Sequence, residues 1–594
     1  MKWFVKFQER LKGLTYAVVR YPLTELFLIA VAVIIAVSIQ TDADYGKQIL
    51  ACVTGAVLSA SLQAFYERFS NKAPIRYILM GSGIVLTFGY YLILRSAPEL
   101  SMEIGIRTWV AVFALCIAFL WIPVVQSSIS FNESFMAAFK AFFHAIFYAI
   151  VIYAGCVLIF LAIDNLLMYV SGKVYAHMGN IVFVLFAPLY FLSLIPIYPG
   201  KRNRELDLEE IRAREEQIHK ASFCPQFLEI LISYIIIPIT AVYTIILILY
   251  IAQNISGEFW RNNLLEPMLV TYVITVILLY ILSSRLENKF AVLFRLFFPK
   301  VLIPIVLFQI VSSIIIMRET GVTHIRYFVI LFGIFAVSAS LVMSFIPVRK
   351  NGIIAAMLIS FSIISVIPPV DAFTVSRISQ KNLLKSILVQ NKMLKDNTII
   401  PNASISDADK KKIVSFVEYL SMMSYTDKVE FLPDNFSIYE DFYDTFGFYE
   451  YDSLEDQNRY SNVFLDSSNP IDITDHDILV HTYITSDENV SKKICEIEKS
   501  GKIFTLKSEK RGEANDIVLR DESDQEMIRF HTDEIFSKYQ NYTADKAELD
   551  MEEATFSTEN DKAGLTVVVQ NANINVSSNQ TYYNADVYIL VRFK

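Results

Sequence analysis

Eleven apolar runs, each within a few residues of the length that crosses a bilayer, occupy residues 22–370 and decide most of what this chain can fold into. Runs such as LFLIAVAVIIAVSI, IVFVLFAPLYFLSLI and VTYVITVILLYIL recur between short polar loops. A helix needs roughly 20 apolar residues to cross a hydrocarbon core ~30 Å thick. In lipid the backbone has to satisfy its own hydrogen bonds, which repeated helices do. The expected spans are 22–40, 48–66, 77–96, 106–125, 140–163, 176–196, 228–252, 266–284, 301–317, 325–346 and 352–370. An apolar share of 54%, with 44 Phe and 32 Tyr, is too high for a set of soluble domains of this length. The fold class is therefore an α-helical polytopic membrane protein with about eleven transmembrane helices.

Charge divides the chain at the end of the last run. Residues 371–594 hold 40 acidic and 24 basic residues, whereas the first 370 hold 20 and 28. With the N-terminus in the cytoplasm, the inner segments carry 21 Lys and Arg and the outer short loops seven. That bias obeys the positive-inside rule. An odd number of spans then places residues 371–594 outside the cytoplasm. An acidic domain without a basic stripe excludes nucleic acid as a partner.

Four segments follow from these shifts. Residues 1–21 alternate Lys2, Lys6, Arg10, Lys12 and Arg20 with Trp3, Phe4, Phe7 and Leu11, the pattern of an interfacial amphipathic helix and not of a cleaved signal. Residues 22–370 form the transmembrane domain. Residues 371–450 continue with a Leu-rich helix, a second helix starting at Ser406, and the aromatic stretch FSIYEDFYDTFGFYEY. Residues 451–594 are strand-rich, with YSNVFL, DILVHTYI, KIFTLKS, DIVLR, MIRF, LTVVV and DVYILVRF as short runs between turn residues. The C-terminal part is thus an extracytoplasmic α+β domain. Of five cysteines only Cys495 falls in it, so no disulfide forms within that domain.

Candidate chemistry is sparse. No Gly-rich phosphate loop, His-x-x-x-His pair, Gly-x-Ser-x-Gly elbow or Cys-x-x-Cys occurs, so no metal or other cofactor is expected. His476, His481 and His531 in the C-terminal domain do not have ligand spacing. Glu25, Asp164, Glu229 and Glu266 all lie near span ends, where interfacial placement outweighs an ion pathway. Glu229 has the basic segment ending at Lys220 as its nearest expected partner. His144 is read as a hydrogen-bonded packing residue among phenylalanines. Pro188, Pro238 and Pro304 bend their spans, and such bends can line a cavity or serve packing alone. On the outer face, Arg318, His324 and Arg326 form the densest cationic loop, a docking point for Asp371 or for the phosphate of an anionic lipid or cell-wall polymer. Asp42 and Asp44 stand in the first outer loop, where transferases using lipid-linked sugars place an acidic base; as helix caps they need no further role.

Two stretches carry a family resemblance. RETGVTHIRY, residues 318–327, supplies Gly321, Thr323, Arg326 and Tyr327; PVDAFTVSRISQKNLL, ending at Leu384, supplies Ser376, Ser379, Gln380 and Leu383. Both resemble the DUF4153 family of bacterial membrane proteins of unknown function, over roughly residues 20–450. Thr320 stands where the family often has an aromatic residue. The resemblance implies a topology, a bacterial cell membrane and no catalytic role. The leading expectation is a non-enzymatic envelope protein whose exported domain binds, senses or scaffolds, with membrane lipid or another envelope protein as partner. The alternatives are a transporter or flippase for an amphipathic substrate and a lipid-carrier-dependent glycosyl or phosphoryl transferase.

Overall fold

The structure is a computed structural model describing residues 13–97, 99–200, 208–254, 266–449, 458–466, 468–485, 492–511, 514–539, 548–577 and 581–594. The chain forms two compact units. One comprises Met1–Ile400 with Ser415–Asp441, the other Pro401–Val414 with Phe442–Lys594. Most of the expected N-terminal interfacial helix lies outside the described residues, although residues 13–20 are helical.

The first unit is a helical bundle. Its apolar helices are α1 (Pro22–Thr41), α2 (Gly46–Phe69), α3 (Ala73–Ser96), α4 (Met102–Trp121), α5 (Phe131–Leu166) and α6 (Gly172–Leu194). The amphipathic α7 (Leu208–Ser222) leads into α8 (residues 226–254), followed by α9 (Glu266–Leu282), α10 (Lys289–Thr320), α11 (His324–Phe345) and α12 (Gly352–Val366). Among the described residues ten apolar helices are long enough to cross a membrane; the 17-residue α9 is shorter, but every expected span has its helix. The chain is a multi-pass membrane protein.

Helices α6 and α8 share a local defect. Each contains a six-residue π turn, Ile181–Phe186 in α6 and Leu231–Ile236 in α8, followed at the second position by Pro188 or Pro238. Proline deletes a helical N–H and crowds the preceding turn, and the wider turn accommodates the break. Pro299 and Pro304 lie within continuous α10.

Basic residues close one end of the bundle. Arg20 grips Glu67 through two bonds of 2.9 and 2.8 Å and donates to the Ile195 carbonyl at 2.7 Å. Arg68 reaches the Val125, Gln126 and Pro199 carbonyls, and Arg76 the Val19 and Arg20 carbonyls. These basic residues, which contribute to the inner charge excess, therefore also tie helix ends together.

Beyond α12, α13 (Ala372–Gln390) begins at the Asp371 cap, and the short ribbon β1 (Leu394–Lys395) with β2 (Thr398–Ile399) follows. Next comes α14 (Asp407–Met422), whose start is capped by the Ser406 hydroxyl accepting the Asp409 N–H at 3.2 Å.

The second unit holds two sheets. One has the order β4 (Ile478–Thr485), β12 (Thr581–Phe593), β11 (Ala563–Ser577), β3 (Asn458–Leu465) and β9 (Glu548–Leu549), with β10 (Thr555–Glu559) also on β11. The other is the meander β5 (Lys492–Lys499), β6 (Lys502–Arg511), β7 (Ala514–Arg520) and β8 (Glu526–Phe530). Ser500 and Gly501, both at positive φ, make the two-residue turn between β5 and β6. Paired left-handed residues match the twist of such hairpins. Val463, Leu506, Ile517, Val567 and Val587 are fully or nearly fully buried in the core.

Candidate functional site

The two family-like stretches meet. Gly321 ends α10 at φ 75°, ψ 175°, a backbone region essentially reserved for glycine. A Cβ there would lie 2.4 Å from Leu383 Cδ1 and 2.8 Å from Gln380 Nε2. Gln380 donates from Nε2 to the Thr320 and Val322 carbonyls, each at 3.1 Å, while the Val322 N–H donates to Ser379 Oγ at 3.1 Å. The missing side chain at Gly321 thus lets α13 approach the α10–α11 turn closely enough for its amide and hydroxyl to take over that turn's backbone bonds. Tyr327 donates its hydroxyl to the Val370 carbonyl. Together these residues form a clamp.

His324 is buried within it. Its backbone N–H donates to the Tyr419 hydroxyl at 2.9 Å, its Nδ1 lies 3.0 Å from the same oxygen, and its ring stacks on Phe373 at 6.0 Å. Asp371 is 0% exposed. Its Oδ1 accepts the Phe373 and Thr374 N–H groups at 3.0 and 3.1 Å, the expected geometry of a helix cap. The same oxygen receives Arg107 Nη2 at 2.7 Å. Burial by itself would raise the Asp371 carboxyl, but the hydrogen bonds from Thr374 and Phe373 and the Arg107 charge outweigh it and hold the group below the usual carboxylate range. Arg107 also bonds Glu103 Oε1 at 2.9 Å, donates to the Val366 carbonyl and covers the Phe373 ring at 4.9 Å.

Asp371 therefore docks, but on Arg107 of α4 and not on the cationic loop. Arg318 is exposed at the end of α10. Arg326 turns inward, its Nη1 buried and without a hydrogen-bond partner among the described residues. Arg318 ends α10 while His324 and Arg326 stand two positions apart at the start of α11 and so point to different faces of it, and closeness in sequence does not make one cationic patch. Arg107 was legible only as one of seven outer-loop charges, since 264 residues separate it from Asp371. Its i,i+4 spacing from Glu103 was the available signal.

Asp42 caps the end of α1 in a left-handed conformation and pairs with Lys173 at 2.9 Å, and Asp44 accepts the Gly46 N–H at 2.7 Å. Among the described residues, no ion pair or hydrogen bond joins either to Arg318 or Arg326. Glu229 accepts from Asn288 at 3.0 Å instead of from the segment ending at Lys220, and Glu266 accepts from Ser313 at 2.8 Å. His144 lies on the exposed side of α5, not packed as expected.

A cavity of about 420 Å³ opens among α4, α5, α9, α11 and α12. Phe113, Phe135, Ile277, Phe332, Leu358 and Phe361 contribute to its apolar wall, and Ser362 and Ser365 bring hydroxyls to one end. None of α6, α8 and α10, which carry Pro188, Pro238 and Pro304, lines it.

In the second unit, one face of the larger sheet is buried through Ile484, Ala572, Ile574, Ala585 and Val587. The alternate positions leave Tyr483, His481, Tyr588, Asp586, Asn584, Asn573 and Asn571 half-buried or exposed on the other face. His481 Nε2 meets Asp586 at 2.7 Å beside the Tyr588 ring, and Asn573 donates to Asn584 at 3.0 Å. His476 instead contacts Thr566 at 3.1 Å. His531, Asp516 and Asp533 bring ligand atoms within 4.8 Å of one another, a grouping the linear spacing hides. Arg529 already lies 3.1 Å from Asp516 Oδ2, which His531 Nδ1 meets at 3.0 Å, so this group belongs to a charge network with Glu509 and Arg520.

A family model described as a domain of unknown function, DUF4153, matches residues 26–398, ending before the aromatic stretch that the resemblance was expected to include. No curated protein and no solved structure matches the chain. The matched segment holds most of the membrane region, from within α1 onward, with the turn at Gly321 and the α13 side of the clamp, and by it the chain belongs to the DUF4153 family.

Proposed function

We propose that the chain is a membrane-anchored binding protein of the bacterial envelope, its N-terminus in the cytoplasm and its C-terminal unit presented on the extracytoplasmic side to a hydroxyl-rich cell-wall polymer. The observation that carries this reading is the open sheet face. Asn571 and Asn584 supply amide groups for ligand hydroxyls, beside the Asn573–Asn584 and His481–Asp586 pairs on the same face. Tyr483 and Tyr588 supply flat apolar surface that bears a polar tip. Such a mixture on a twisted, half-covered sheet suits an extended polar chain better than an apolar peptide. The loop-charge bias supports the location.

Full-length protein in lipid nanodiscs should co-sediment with purified peptidoglycan sacculi. The Tyr483→Ala/Tyr588→Ala double variant should lower the retained fraction about fivefold, roughly 1 kcal/mol of binding energy. Equal retention of the two proteins, or no retention of either, would overturn the reading. A transporter of an amphipathic substrate is favoured by the apolar cavity, but only the hydroxyls of Ser362 and Ser365 meet a headgroup in its wall. The transferase reading has less support, because Asp42 and Asp44 are engaged in capping and in the Lys173 pair.

A further inference from the structure

We propose that the cavity among α4, α5, α9, α11 and α12 is a lipid site that takes one acyl chain of a diacyl glycerophospholipid from the surrounding leaflet. The inference stands on the first unit alone and does not depend on what the β-rich unit binds.

Three observations lead to this occupant. Water is a poor filling: a buried water needs two to four polar partners, and the wall is apolar except for Ser362 and Ser365. Ser365 already donates to the Ser362 carbonyl at 2.7 Å. Access is lateral, because two wall residues, Phe113 on α4 and Ile274 on α9, are 46% and 50% exposed on the apolar surface of the bundle. The solvent at that surface is hydrocarbon. The length also fits. Lining residues on α12 run from Ile354 to Ser365, which at 1.5 Å per residue is ~16 Å. That is shorter than a ~30 Å hydrocarbon core and long enough to hold much of one acyl chain.

The polar end indicates which way the lipid lies. Ser365 adjoins Val366, whose carbonyl receives Arg107, and the wall residue Phe328 packs edge-on against Phe373 beneath that guanidinium. The cavity therefore runs from the clamp along most of α12 toward Ile354, Phe131 and Ile281 at the opposite helix ends. A headgroup would rest beside the clamp, where Arg107 is balanced by Glu103 and Asp371 and offers no strong net charge. Selection accordingly rests on the chain and not on an anionic headgroup.

The test is photocrosslinking of the full chain in nanodiscs containing a phosphatidylcholine with a diazirine midway along one acyl chain. Adducts should concentrate on Phe332, Leu358 and Ile277, above those on Ile150 and Leu158 of the exposed α5 surface. Leu358→Trp, which fills the cavity, should reduce the cavity adducts at least fivefold and leave the α5 adducts unchanged. Ile274→Trp narrows the opening at a half-exposed position, so it reads the same effect if Leu358→Trp fails to fold. Adducts spread evenly over both surfaces, or cavity adducts insensitive to the variants, would overturn the proposal. Preferential labelling by a diazirine polyprenyl phosphate in competition with the phospholipid would also overturn it, by assigning the site to a lipid carrier.

Discussion

At the scale of single residues, Asp371 combines two roles that substitutions can separate. Asparagine caps a helix about as well as aspartate, so Asp371→Asn should keep the start of α13 and lose only the charge pairing with Arg107. Removing one partner of a buried pair costs ~3–5 kcal/mol. Arg107 is partly exposed and retains Glu103, so a loss of about 2 kcal/mol is expected, read as a lower melting temperature in nanodiscs. Asp371→Ala should cost ~1 kcal/mol more through the cap. The pH dependence has a defined sign. Since the folded carboxyl lies below its ordinary value, its contribution is complete above the unfolded pKa near ~3.9 and disappears as pH falls through the folded value. Wild type and Asp371→Asn should therefore converge in acid, and a constant difference would show that charge is not the cause. Gly321→Ala combines backbone strain of ~1–3 kcal/mol with a clash against Leu383. It should destabilise the protein more than Gly89→Ala, where a Cβ meets open space.

Among elements, α13 is held by parts of three helices that are distant in sequence. Arg107→Ala should expose the connection around residues 367–371 and speed limited proteolysis there, while Arg318→Ala, at an exposed site, should not. Equal cleavage of both variants would return the docking role to the cationic loop. The π turns of α6 and α8 follow from chain chemistry, since each precedes a proline that cannot donate the next helical bond. In the β-rich unit, β5 escaped the sequence reading. Its residues, KKICEIEK, show little apolar alternation. It lies at the edge of its sheet, where charge hinders pairing with other chains.

For the whole molecule, orientation is a matter of charge counting, and labelling can test it. In a cysteine-free background, a membrane-impermeant maleimide should mark Asp472→Cys in intact cells and miss Glu210→Cys. The reverse pattern would place the C-terminal unit in the cytoplasm and end the cell-wall proposal. Both positions are exposed in the structure, so lack of labelling would report sidedness and not burial.

The sequence by itself determined the number of apolar helices, the Ser406 start, the Leu-rich helix after the last span, and most strands of the second unit. Hydrophobic length, caps and alternation are local properties, written within about twenty residues. It also marked Gly321, Ser379 and Gln380 as belonging to a pattern without stating what the pattern does. Only the tertiary structure joined the two stretches, gave Asp371 to Arg107, turned Arg326 away from Arg318, and placed a cavity among helices other than those bent by proline. Those outcomes depend on which helices become neighbours and which faces they present. Apolar helices that resemble one another in composition encode that choice in small packing differences along their whole length, not in any local motif.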